Sequence, residues 1–501
     1  MIERILQQLT YNPDEPLIFS SGLFLMLFLG FTFCYMLMQH TRTLRLLFVT
    51  AFSYYFYYKS SGFYFFLLAV VTLSDFLIAR KIASIKADGV QTDDDQSAKR
   101  KMKWLVVLSL LVDLGLLAYF KYTNFFAGMW AQMIGANFQP WDIFLPVGIS
   151  FFTFQSMSYV IDVYRGDLKP LPSLLDYAFY VSFFPQLVAG PIVRARDFAP
   201  QIRKPLQVTQ DMFARGVFFI MIGLFKKAVI SDYISLNFVD RIFDNPSLYS
   251  GVENLLGAYG YAMQIYCDFS GYSDMAIGIA LLLGFRFPIN FNAPYTSVSI
   301  TDFWRRWHIS LSSWIRDYIY ISLGGNRKGK VRQYVNLIIT MLLGGLWHGA
   351  SLNFVAWGGM HGIALAIHKW MRENLFHHDK HYLSHGLRRV GAVVLTFHFV
   401  VFCWIFFRNH TFEASWTMLT KIFTDFHPEL FVQVVTGYWA VFSMILFGYL
   451  THFVPDRWND QVVAFIRRGG VILGALLIAA VIYIVIQVKS SEIQPFIYFQ
   501  F

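Results

Sequence analysis

The stretch Asn336–Leu365, NLIITMLLGGLWHGASLNFVAWGGMHGIAL, is apolar enough to lie in a bilayer, yet it carries His348 and His361. Gly344 and Gly345 stand four and three residues before His348, so on a helix they share its face. Gly349, Ala350 and Ser351 follow it. A histidine flanked by such small residues has room beside it for something other than protein. An ionisable group at membrane depth is a functional hypothesis in its own right. It reads equally as a bundle-facing histidine that hydrogen-bonds a neighbouring helix, and this stretch alone leaves both open.

Working outward, the 501-residue chain is 56% hydrophobic and only 14% charged. A soluble protein of this length would carry about 25% charge. The composition therefore predicts an all-α polytopic membrane protein. Thirteen apolar stretches, from Leu23–Met38 to Val471–Val488, approach membrane-spanning length. Some are short or glycine-broken, which gives 11–13 crossings in one integral membrane domain over residues 1–501. No cleavable leader pattern is visible, so the first apolar segment is expected to act as the insertion signal.

The net charge of +10 does not point to nucleic acid here, because Lys and Arg gather in loops that meet anionic lipid. The span Arg80–Lys103 holds seven of them in a short connection, which places it in the cytoplasm. The three cysteines, Cys34, Cys267 and Cys403, have no ligand spacing, so no metal site is expected.

The span Phe285–Arg332 is too polar and too proline-rich at its start to be a simple crossing. Thr301 reads as a helix N-cap. Beyond it Trp304, Trp307, His308, Leu311 and Ile315 recur at three- and four-residue spacing, with Arg305, Arg306, Ser312 and Arg316 largely elsewhere. That pattern predicts an amphipathic helix over Thr301–Leu323, either re-entrant around a cavity or lying in the membrane interface. Within Tyr266–Asp274, Asp268 and Asp274 cannot face lipid cheaply. They are expected to line a cavity, to pair with Arg305 or Arg306, or to cap a break at Gly271, and structural duty is the expected role. His361 reads as a packing residue. His368, His377, His378, His381 and His385 read as water-facing loop residues. There is no GxSxG elbow, P-loop, HExxH or CxxC pair.

FWRRWHISLSSWIRDYIYISLGGNRKG (Phe303–Gly329) and MLLGGLWHGASLNFVAWGGMHG (Met341–Gly362) resemble the membrane-bound O-acyltransferase family, most of all its alginate O-acetyltransferase branch. Leu145–Asp167, Phe183–Phe198 and Tyr266–Tyr295 match the same branch in the same order, and the likeness covers most of residues 144–408. The flanks, 1–143 and 409–501, match only in hydropathy. The resemblance implies a ring of tilted and re-entrant helices around a central tunnel. It places the family's catalytic histidine on His348 and its second histidine on His308. Trp304, Arg305, Trp307, Ser312, Trp347 and Asn353 become candidate tunnel residues, with His361, Asp268 and Asp274 supporting them.

The implied chemistry is acyl transfer from a cytoplasmic thioester, acetyl-CoA or a carrier protein, with no permanently bound cofactor. In such systems the acetyl group passes to an extracytoplasmic SGNH-type partner that O-acetylates a polysaccharide, from a bacterial inner membrane. Two other readings are D-alanyl transfer from a carrier protein and a non-enzymatic transporter or flippase. The absence of an inverted repeat weighs against the last.

Overall fold

The computed structural model describes residues 7–13, 15–38, 40–89, 95–188, 190–375, 386–488 and 497. Among them every regular element is a helix. The principal helices are α1 Gly22–Leu37, α2 Arg42–Ser61, α3 Phe65–Gly89, α4 Asp95–Leu117, α5 Ile149–Arg165, α6 Leu174–Ser182, α7 Gln210–Leu224 and α8 Gly251–Leu282. They continue with α9 Ile300–Arg306, α10 Ile309–Ile315, α11 Lys330–His348, α12 Leu352–Asn374, α13 Gly386–Arg408, α14 Phe412–Thr424, α15 Trp439–Thr451 and α16 Asp456–Val488.

Among the described residues, four helical stretches are long and apolar enough to cross a membrane: Arg42–Ala87, Gln96–Met133, Gly386–Arg408 and Asp456–Val488. A fifth is the pair Pro428–Gly437 and Trp439–Thr451, bent by 93°. The protein is an all-α, multi-pass membrane protein. Several of the other apolar stretches are divided by local chemistry. Tyr177–Val193 breaks at Phe183, just ahead of Pro185, whose ring nitrogen has no proton to donate to a helical ladder. Leu337–Phe354 stops at His348, where Gly349 turns to extended backbone.

The chain forms two compact units. One comprises Met1–Gly216 with Ala276–Pro288. Its most enclosed element is α5, buried from Ile149 to Val160, with Gly148 and Gly166 in the left-handed region at its two ends. Ser173 caps α6 by accepting from the Asp176 N–H, and the Asp176 carboxylate takes Arg42 at 2.6 Å and Arg203 at 3.6 Å.

The other unit comprises Val217–Met275 with Ile289–Phe501. Here α7 runs into π-helical turns over Phe225–Ser231, which carry Lys226 and Lys227. Lys226 pairs with Asp274 at 2.8 Å, and Lys227 with Asp268 and Asp232. The partners of Asp268 and Asp274 are therefore these lysines and not Arg305 or Arg306. Helix α8 is also unbroken at Gly271. That glycine is explained by close approach: a Cβ there would strike the Gly223 carbonyl oxygen of the facing segment.

The expected single helix over Thr301–Leu323 is two short helices, α9 and α10, parted at Trp307–His308, with a π-helical turn over Arg316–Tyr320. Its cap is Ser299, which accepts from the Asp302 N–H at 3.2 Å, two residues ahead of the expected Thr301. The residues picked out by the three- and four-residue spacing, Trp304, Trp307, His308, Leu311 and Ile315, are all buried.

Candidate active site

Helices α11 and α12 form a tight hairpin because glycine lines their contact. A Cβ on Gly345 would meet the Phe354 carbonyl oxygen, one on Gly358 the Met341 carbonyl oxygen, and one on Gly362 the Ile338 Cα. Backbones can approach this closely only where side chains are absent. The space beside Gly349 is filled by the Phe354 ring. The glycines were expected to leave an open flank beside His348, and this is corrected: two of the three serve packing. Only Gly344 has slack, with Ile315 Cδ1 at 3.8 Å from its would-be Cβ. His348, at the last residue of α11, is buried against Trp357 (ring centroids 5.0 Å), Trp347 (5.0 Å) and Phe407 (5.2 Å).

His308 sits at the break between α9 and α10 with φ 43°, in the left-handed region that a bulky residue enters only under constraint. Asn290 supplies the constraint. Its carbonyl accepts the Ile309 N–H at 2.9 Å, and its Oδ1 accepts from the Ser310 N–H and hydroxyl. Asn290 Nδ2 in turn donates to Ser273 Oγ at 3.2 Å. His308 Nδ1 lies 3.2 Å from Asn290 Oδ1, an atom that can only accept, so this network assigns the ring proton to Nδ1. His308 Nε2 then keeps a lone pair, is buried, and has no partner among the described residues. Burial pushes the imidazole down to about 3, so the ring is neutral at physiological pH.

The two rings face each other with centroids 6.5 Å apart at 61°. Phe269 stands edge-on to His308 at 4.7 Å, and Trp347 lies 6.0 Å from it. Trp357 touches His348 and His361 (4.8 Å) and stacks on Trp404 (5.9 Å). His361 Nδ1 accepts from the Trp304 indole N–H at 3.3 Å, which fits its expected packing role.

Beside this cluster, in the same unit, lies a groove of about 510 Å³. Trp304, Arg305, Ser312, Arg316, Tyr320, Met341, His368, Lys369 and Arg372 are among its lining residues, and none of the lining residues is acidic. Trp304 joins it to the histidines: it lines the groove and packs on Trp357 at 5.7 Å.

Among the candidate tunnel residues, Trp304, Arg305 and Ser312 line this groove. Trp347 touches His348, and Trp307 is a buried wall residue against Trp404 at 4.9 Å. Asn353 is buried, and its amide donates to the Asn409 carbonyl at 2.7 Å. His368 is corrected, because it lies on α12 and its Nδ1 is 2.8 Å from Thr301 Oγ1. His377, His378, His381 and His385 fall outside the described residues. Asn290, Trp357 and Arg372 carried no signal in the sequence, since each matters through a contact distant along the chain.

A family model described as MBOAT, membrane-bound O-acyltransferase family, matches residues 52–378. A probable alginate O-acetylase, AlgI, of Pseudomonas syringae pv. tomato is 43% identical over 89% of this chain and 84% of its own length. A peptidoglycan O-acetyltransferase of Helicobacter pylori is 39% identical over 64% of each chain. A teichoic acid D-alanyltransferase of Bacillus subtilis is 31% identical over 53% of this chain and 69% of its own.

Proposed function

Because the chain belongs to the membrane-bound O-acyltransferase family, we propose that it moves acetyl groups from cytoplasmic acetyl-CoA for O-acetylation of a polysaccharide outside the bacterial inner membrane. It is an O-acyltransferase, and the pairing of His308 with His348 is the observation that carries the mechanism. His348 takes the proton of an acceptor hydroxyl as that oxygen attacks the thioester carbonyl. The tetrahedral intermediate then collapses, expelling the thiolate of coenzyme A, which receives the proton. His308 holds its lone pair on Nε2, so it orients the acceptor by accepting a hydrogen bond from a neighbouring donor on it, leaving the reacting O–H to His348.

The groove suits the donor. Arg305, Arg316, Lys369 and Arg372 line it; Arg316 and Lys369 are paired with Asp317 and Glu373, so Arg305 and Arg372 are the cations that fit the phosphates of a coenzyme A thioester. Acetyl transfer is favoured over D-alanyl transfer by the longer and closer match to the alginate relative than to the teichoic acid one. The acceptor is a polysaccharide hydroxyl or that of an extracytoplasmic SGNH-type partner acting next.

The test is transfer of radiolabelled acetyl from acetyl-CoA by membranes carrying equal amounts of folded wild-type protein or His348→Ala. Loss of a general base costs on the order of 10²–10⁴ in rate. Near wild-type transfer by folded His348→Ala would refute the role given to His348. Label that never leaves acetyl-CoA with the wild-type protein would refute the donor.

A further inference from the structure

A second cavity in the same unit, of about 440 Å³, plays no part in the proposed reaction. It lies among α8, α13 and α15, and its walls include Leu256, Val394, Phe397, Ile445, Leu446 and Phe453. The volume is within the range of ordinary ligand pockets, about 300–1,000 Å³. No lysine, arginine or carboxylate lines it.

Two tyrosines on its wall are satisfied internally, Tyr449 donating to the Tyr259 carbonyl and Tyr295 to the Ala262 carbonyl. His452 is not. It lines the cavity, is 8% exposed, and packs against Tyr266 (4.5 Å) and Tyr295 (5.3 Å). Its Nδ1 lies 3.2 Å from the Gly448 carbonyl oxygen, an acceptor, so Nδ1 carries the proton and Nε2 the lone pair. Among the described residues, that Nε2 is buried without a hydrogen-bond partner. A buried acceptor left unsatisfied is costly, and it calls for an O–H or N–H donor. His398 also lines the cavity, from an exposed position; its Nδ1 is 2.7 Å from the Val394 carbonyl oxygen, which leaves its Nε2 as an acceptor.

The surroundings decide what supplies the donor. Helix α13 is long and apolar enough to cross a membrane, and α15 belongs to the bent apolar pair Pro428–Gly437 and Trp439–Thr451. A cavity walled by hydrocarbon side chains at that depth is reached from the bilayer, so its occupant has an apolar chain. We propose that this cavity binds a membrane lipid bearing a free hydroxyl, with its chain against Phe397 and Leu446 and its hydroxyl donated to His452 Nε2. The lipid is held by shape and by one hydrogen bond rather than by charge.

The probes are 1,2-dioleoylglycerol, which has one hydroxyl, and its methyl ether, which has none. Native mass spectrometry of the purified full-length protein, without acetyl-CoA, reads how much of each is retained. The wild-type protein should retain the alcohol about 2- to 12-fold more tightly than the ether, the net worth of one hydrogen bond. His452→Phe keeps a ring against Tyr266 and Tyr295 but no acceptor, and should bind the two lipids equally. Leu446→Trp fills the cavity from an exposed position, so it should fold normally and retain neither. Both variants should keep wild-type acetyl transfer. Equal retention of alcohol and ether by the wild-type protein, or unchanged retention by Leu446→Trp, would overturn the proposal.

Discussion

The imidazoles of His308 and His348 stand 6.5 Å apart, centroid to centroid, and meet at 61°. That is too far for a hydrogen bond between ring nitrogens on facing edges to be the reason for the arrangement. It is close enough for one acyl acceptor to touch both. The pair arises from two unrelated local devices, the end of α11 at Gly349 and the left-handed turn at His308. Each places a histidine where a regular helix would have carried the chain past.

The turn at His308 predicts a graded response. Asn tolerates the left-handed region, whereas Ala does not. His308→Asn should therefore keep the fold and lose part of the rate, because an amide can still hydrogen-bond a hydroxyl. His308→Gly should also fold but lose more, having no side chain to hold the acceptor. His308→Ala should lower thermal stability as well as rate. Acetyl transfer and melting temperature measured together check the order. An Ala variant as stable as the Gly variant would remove backbone strain from the account.

Protonation adds a second expectation. His308 has its folded pKa pushed below the ordinary value of about 6.5, down to about 3, by burial. The unfolded chain therefore binds this proton more readily than the folded one. Stability from the buried neutral ring is complete above pH ~6.5 and is lost as pH falls from there towards 3, by about 1.4 kcal/mol per pH unit for one such group. His308→Asn should flatten the acid side of the stability profile over that window. An unchanged slope would show that His308 is not buried neutral in the folded protein.

Much of this was legible in the sequence. The low charge fixed the membrane class, and three- and four-residue spacing picked out Trp304, Trp307, His308, Leu311 and Ile315, all buried. What was not legible depends on partners far along the chain. The α9–α10 break is set by Asn290, eighteen residues before His308. Lys226 and Lys227 reach Asp274 and Asp268 from π-helical turns, a departure from regular helical spacing that the sequence did not signal. The glycines around His348 were read for space beside a ligand, but glycine also permits two backbones to touch, and spacing on one helix does not tell these apart.

That ambiguity is open to a direct comparison. Gly345→Ala should destabilise the protein by about 1–3 kcal/mol, since its Cβ would press on the Phe354 carbonyl across the hairpin. Gly344→Ala should be neutral or slightly stabilising, because Ile315 Cδ1 at 3.8 Å is an ordinary contact and alanine favours helix by about 1 kcal/mol. Thermal melts in detergent separate them. If Gly344→Ala instead abolished transfer with the fold intact, that glycine would be clearance for substrate.

The groove makes the last prediction, because its charge has one use in the proposed reaction. Among the described residues, Arg372 Nε is buried without a hydrogen-bond partner, and Arg305 lines the groove from an exposed position on α9. A hydrogen bond from such a cation to a phosphate is worth about 1.5–3 kcal/mol, on the order of tenfold or more in affinity. Arg372→Gln and Arg305→Gln should each raise KM for acetyl-CoA by that factor and leave kcat near wild type, because neither touches His348. Acetyl-pantetheine, which keeps the thioester but lacks the nucleotide phosphates, serves as the control. Its turnover should be slow with the wild-type protein and indifferent to both substitutions. Added salt should weaken acetyl-CoA use by the wild-type protein more than by either variant. Equal losses with acetyl-CoA and acetyl-pantetheine would mean that the arginines hold the helices rather than the donor, and would move the donor site elsewhere.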